Sequence, residues 1–277
     1  MQLSLTSWSL PACTTKEAVA IARALGFPAI DLGYFHGPAL DKAAILADPE
    51  GVAEQIRALG LAVPSFYHLF GGTLGDRNLA DPGSLDANFA DFRRVTRFCK
   101  AAGIPTIFVL PGICNPGQDR AAALAQSARA LNRLLPLALE ASVTLTVEPH
   151  VHSLLESPAL TLQLLEVVPG LQLTLDYAHF VCLGYRQDEI DPLAAHAAHV
   201  HVRQARPGVL QAKAADGTII LAAMLGALRA TGYTGNLAIE YVHQDYMDTV
   251  HDDVLTETIR TRDLLRAWLA YTSHPRH

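Results

Sequence analysis

VTLTVEPHVHSLLESPALTLQLLEVVPGLQLTLDYAH, residues 143–179, contains one complete unit of the fold. An alternating, β-branched run (143–148) leads through a loop into a helical stretch (158–167), then into a second strand (172–176). Each strand ends on an acid and is followed closely by a histidine: Glu148 with His150, Asp176 with His179.

The same pattern of strand, loop and helix extends outward in both directions. Strands are expected at 3–10, 29–34, 62–68, 106–110, 143–148, 172–176, 199–202 and 237–241. Helices are expected at 15–25, 42–59, 84–102, 119–140, 158–167, 192–195, 219–231 and 252–271. Gly26, Gly60, Gly103 and Gly232 sit where a helix stops before the next strand. Eight such units, with no linker or break in composition, predict an α/β fold of the (β/α)8 TIM barrel type. The barrel forms a single domain over 1–277, with 272–277 as a flexible tail.

Composition agrees. The 277 residues, half of them hydrophobic, suit one or two ordinary domains of about 100–200 residues, or one barrel of about 250. A charged fraction of 17% and 50% hydrophobic residues exclude a disordered chain. The net charge of −6, from 27 acidic against 21 basic residues, disfavours a nucleic-acid binder. Cys13, Cys99, Cys114 and Cys182 show no CxxC pairing and read as reduced thiols of a cytoplasmic protein. The start MQLSLTSWSL alternates like a strand and lacks a basic region ahead of an apolar one, and no run of about 18 apolar residues predicts a membrane span.

In such a barrel the site lies at the C-terminal ends of the strands. There the chain places His68, Glu148, His150, Asp176, His179, His199, His201 and Glu240. Carboxylates ending apolar strands are unfavourable to bury unless a cation neutralises them. Glu148, Asp176, His201 and Glu240 supply an oxygen-rich set with one imidazole, which suits one divalent ion, Mn²⁺ first, with Mg²⁺, Co²⁺ or Zn²⁺ as alternatives. His199 shares the face of His201 two residues away and reads as a buried support. His150 lies beyond Glu148 on the same side, where it either orients a ligand or contacts solvent, and it joins the substrate-binding candidates. His68 and Trp8 are candidates for substrate contact at the mouth, and Arg203 and Arg206 for an anionic group.

The segments VEPH (147–150), LDYAH (175–179), HVHVRQAR (199–206) and IEY (239–241) resemble the xylose isomerase-like barrel superfamily over residues 3 to 269. That superfamily holds sugar isomerases and epimerases related to D-tagatose 3-epimerase and hydroxypyruvate isomerase, and also endonuclease IV. The resemblance implies a metal held by Glu148, Asp176, His201 and Glu240, with Glu148 and Glu240 as catalytic proton-transfer groups. It also implies that His179 and Arg206 contact substrate oxygens, although Arg206 stands one position nearer the histidine than its counterpart in the ketose epimerases. The expected activity is isomerisation or epimerisation of a small carbohydrate or sugar acid through an enediolate stabilised by the ion.

A metal-dependent dehydratase or lyase shares the first proton abstraction and stays open. A phosphodiester hydrolase like endonuclease IV needs three zinc ions rather than about one. The loop after Glu240, YVHQDYMD, is acidic and has no glycine, which disfavours a phosphorylated substrate. Asp245, Asp248, Asp252 and Asp253 read as a solvated loop and helix start. No nucleic acid or membrane partner is expected, and a homodimer is the assembly to test.

Overall fold

The computed structural model describes residues 1–34 and 40–273, the side chains of 272 and 273 apart. Eight strands form a closed, all-parallel barrel: β1 (Gln2–Thr6), β2 (Ala29–Gly33), β3 (Ser65–Tyr67), β4 (Thr106–Val109), β5 (Thr144–Val147), β6 (Gln172–Asp176), β7 (Ala197–Val202) and, after a hairpin, β10 (Asn236–Ile239). Pairing of β1 with β10, from Gln2 opposite Asn236 to Leu5 opposite Ile239, closes the ring. The hairpin of β8 (Gln204–Arg206) and β9 (Val209–Ala212) is a separate antiparallel pair in the loop after β7.

Alternation along each strand sorts the two faces. Leu3, Leu5, Ile30, Leu145, Leu173, Leu175, Val200, Val202, Leu237 and Ile239 join the core cluster shared with the surrounding helices. The residues between them (Ser4, Thr6, Asp31, Thr146, Thr174, His199, His201) are buried and polar. They point into the barrel: Asp31 on β2 meets His199 on β7 at 2.5 Å although β1 and β10 separate those strands in the sheet, so the contact crosses the lumen. Barrel interiors are commonly filled by bulky branched side chains. Here the alternation instead carries polar groups up to the C-terminal rim.

The register between β6 and β7 shifts between Leu173 and Thr174, whose partners are Ala197 and His199. The extra residue, Ala198, is a bulge that sets Asp176 opposite His201.

The helices follow the stops read from sequence. Gly26, Gly60, Gly103 and Gly232 all take positive φ. Gly103, at φ +75°, caps α4 (Leu85–Ala102) in the left-handed region that a β-carbon disfavours.

Six details correct the expectations. β1 ends at Thr6, because 7–9 coil into a 3-10 turn that turns Trp8 into the mouth. β3 is shorter than 62–68, with Ala62 reaching Ala29 only by an isolated bridge. The helix expected at 42–59 is two, α2 (Lys42–Ala47) and α3 (Pro49–Ala58): Pro49 has no N–H for a continuing helix, and Asp48 caps the second by accepting from Gly51 N–H. The region after β6 holds α7 (Tyr177–Cys182), α8 (Gln187–Ile190) and a 3-10 helix (Asp191–His196) rather than one short helix. The hairpin β8–β9 was not foreseen. Of the expected tail, 272 and 273 belong to α10 (Val254–Ser273), and 274–277 lie outside the described residues. No two of the four cysteines are bonded. No helix among the described residues is long and apolar enough to cross a membrane.

Candidate active site

Glu148 and Glu240 stand just past the ends of β5 and β10, Asp176 ends β6, His201 is the last but one residue of β7, and all four are buried. Glu148 accepts from His201 Nδ1 at 2.6 Å, and Glu240 Oε2 lies 3.3 Å from the same nitrogen. These three each offer an atom within 4.8 Å of the others, and Glu240 Oε2 is buried without a hydrogen-bond donor. Three converging buried donors with an unsatisfied carboxylate oxygen suit a divalent cation.

Asp176 stands apart from that trio. Its Oδ1 accepts the N–H of Ala178 at 2.8 Å, capping α7, and its Oδ2 accepts from Arg203 Nη2 at 2.8 Å. Arg203 also lies 3.5 Å from Glu240 Oε2. The grouping Glu148, His150, His179 and the grouping Asp31, His199, His201 overlap the trio through Glu148 and His201.

Burial and charge pull the groups apart. Burial pushes Glu148 up to about 7, against the lowering effect of His201. Burial alone would raise Glu240 too, but Arg203, His201 and the Trp8 N–H hold it well below the usual carboxylate range. Burial raises Asp176, with Arg203 opposing. For His201, burial disfavours the charged ring, yet Glu240 and Glu148 outweigh it and lift the imidazole well above its ordinary value.

The site opens on a cavity of about 40 Å³ walled by Trp8, Tyr67, Phe108 and Val242 and reached by Glu148, His150, Arg203, Glu240 and Tyr246. Tyr67 stacks on Phe108 with centroids 4.4 Å apart, and Phe108 meets the His201 ring edge-on at 5.0 Å. Trp8 is both wall and partner: its Nε1–H donates to Glu240 Oε1 at 2.6 Å.

The remaining expected residues divide. His150 lines the cavity, is tied through Nδ1 to the Val151 carbonyl at 2.6 Å, and packs against His179 with the rings tilted and their centroids 4.0 Å apart. His179 lies behind it against Arg203. His68 is fully buried away from the cavity, bonded to the Tyr34 hydroxyl and packed against Phe70, because β3 ends one residue earlier. Arg206 does not reach the Glu148, His201 and Glu240 cluster either. It is exposed on β8 and lines a separate outer cleft of about 540 Å³, since the hairpin carries it outward.

The arginine at the centre is Arg203, two residues beyond His201 on the same inward face, a step that the alternation already contained. Asp31, which pairs with His199, was also passed over. Its signal was a lone acid at an inward position of AIDLG (29–33).

Residues 19–268 match the family described as Xylose isomerase-like TIM barrel. The chain belongs to that family. No curated protein matches its sequence. Its structure is similar to that of L-ribulose 3-epimerase, with a TM-score of 0.77, 19% identity and coverage of 100% of this chain and 99% of that one. It is similar to the IolI protein with a bound zinc atom, at TM-score 0.76 and 16% identity over the whole of both chains. It is likewise similar to D-allulose 3-epimerase from Methylomonas sp., at TM-score 0.72 and 17% identity, covering 97% and 98%. At these identities the likeness establishes the shared barrel.

Proposed function

We propose that this xylose isomerase-like barrel is a divalent-metal-dependent isomerase or epimerase of a small carbohydrate or sugar acid. The observation that carries this is the placing of Glu148 and Glu240. They come from non-neighbouring strands β5 and β10, converge on one imidazole nitrogen at 2.6 and 3.3 Å, and are driven to opposite protonation tendencies. Two acids whose surroundings separate their proton affinities are suited to remove and return a proton. Sugar epimerases among the structural neighbours support the same reading.

Glu148, His201 and Glu240 would hold the ion, Mn²⁺ by preference, with zinc supported by the IolI structure. When bound, it supplies charge stabilisation for the developing enediolate oxygens. The chain's own groups do the rest. Glu240, held ionised, takes the proton from the carbon beside the carbonyl, Glu148, whose raised affinity lets it carry a proton, returns one, and Trp8 fixes Glu240 through its N–H. His150 and Arg203 face the cavity as contacts for substrate oxygens, and Trp8, Tyr67 and Phe108 exclude water.

The test is metal analysis, then incubation with ketoses, aldoses, inosols and keto acids in deuterated water. Metal-dependent deuterium incorporation at the carbon beside the carbonyl is expected. Its absence on every substrate with the metal loaded, or three zinc ions per chain with phosphodiester cleavage, overturns the proposal. Incorporation accompanied by loss of a hydroxyl makes the enzyme a dehydratase.

A further inference from the structure

We infer that Arg203 is a resident competitor of the divalent cation, holding Asp176 out of the ligand set so that an ion is bound by Glu148, His201 and Glu240 and gains Asp176 only if Arg203 withdraws. This rests on the reading above that the cluster takes a divalent ion, and it departs from the four-ligand set expected from sequence.

The first ground is how Asp176 is occupied. Both oxygens have partners, Ala178 N–H on one and Arg203 Nη2 on the other, each at 2.8 Å. The second is charge. Three buried carboxylates, Glu148, Asp176 and Glu240, gather at this end of the barrel, and Arg203, only 3% exposed, is the fixed cation set between two of them. A guanidinium is always charged, so it answers the need for a counter-ion before any metal arrives.

The third ground is that Arg203 is held imperfectly, as a displaceable group should be. Its Nε is buried without a partner. Its Nη2 lies 3.0 Å from His179 Nε2. His179 is itself shared, with Nδ1 taking the Val151 N–H at 3.3 Å and Nε2 also lying 3.6 Å from Asp176 Oδ2, and Arg203 borders the cavity at the mouth.

The experiment titrates Mn²⁺ alone into metal-free protein by calorimetry, with wild type, Arg203→Gln, Asp176→Asn and the double variant. Arg203→Gln is expected to tighten Mn²⁺ at least about tenfold, which is about 1.4 kcal/mol. Asp176→Asn is expected to change the wild-type affinity by less than about threefold, yet to abolish the gain in the Arg203→Gln background, a coupling that a double-mutant cycle reads directly. Equal or weaker binding by Arg203→Gln, or an equal loss from Asp176→Asn in both backgrounds, overturns the inference and makes Asp176 an ordinary ligand. Should Arg203→Gln fail to fold, Arg203→Lys takes its place in the cycle, and Asp176→Asn alone still decides, since a loss beyond about tenfold in the wild-type background overturns it. Wild-type binding without coupling defeats this inference and leaves the proposed function standing. No divalent binding by any of the four proteins defeats both.

Discussion

Replacing Trp8 by Phe separates two roles that the same indole plays. Phe keeps the ring contacts to Tyr67, Phe108 and His201, whose centroids lie 5.8, 5.9 and 5.8 Å away, and removes only the N–H that donates to Glu240 Oε1 at 2.6 Å. A hydrogen bond to a charged group contributes about 1.5–3 kcal/mol, and the lost partner is buried. With about 2–4 °C of Tm per kcal/mol for chains of roughly this size, a loss near 2 kcal/mol lowers Tm by roughly 4–8 °C at pH 7 in metal-free buffer. The sign with pH also follows. Glu240 is held below its ordinary value, so the stability it contributes is fully present above about pH 4.5 and is lost as the pH falls towards its folded value. The indole N–H is one cause of that lowering, so the deficit of Trp8→Phe is largest at neutral pH and shrinks in acid. Thermal unfolding from pH 3 to pH 8 measures it. An unchanged Tm at pH 7, with only a raised KM, would mean that Trp8 is a substrate wall and nothing more.

Other outcomes follow from the same geometry. Glu240→Gln and Glu148→Gln should each lower kcat about 10²–10⁴-fold with the circular dichroism spectrum unchanged, and full activity in either variant contradicts its assignment as a proton-transfer group. Glu148 is raised to about 7 by burial, so in metal-free protein its contribution is fully present below about pH 4.5 and disappears as the pH rises through 7, on the order of 3 kcal/mol; His201, also raised, acts in the same direction. Urea unfolding should therefore show wild type losing stability from pH 5 to pH 8 more steeply than Glu148→Gln, and equal slopes would refute it. Asp31→Ala leaves His199 without its partner in the barrel centre, where both are at most 1% exposed, and should cost about 3–5 kcal/mol in the same assay; a loss under about 1 kcal/mol would show the pair to be incidental.

Much of this architecture was legible because the barrel writes its two faces into alternate positions. Leu173-Thr174-Leu175-Asp176 and Leu237-Ala238-Ile239-Glu240 announce both a strand and the acid that ends it inside. What local pattern does not encode is which way the chain leaves a strand. Trp8 reaches Glu240 because 7–9 coil instead of extending, and Arg206 is lost to the site because a hairpin opens after β7.

Arg203 was readable as a contact for an anionic group, but not which one: the register of β7 against β6, shifted by one bulge, brings it over Asp176. Cross-lumen pairs such as Asp31 with His199, 168 positions apart, are invisible until the ring is closed.

The most direct measurement is the anomalous scattering of a Mn²⁺-soaked crystal. A single peak at roughly 2.0–2.6 Å from Glu148, His201 and Glu240 together is the expected result. A peak elsewhere, or none at saturating Mn²⁺, would contradict the claim that these three side chains gather a divalent ion at the C-terminal mouth of the barrel.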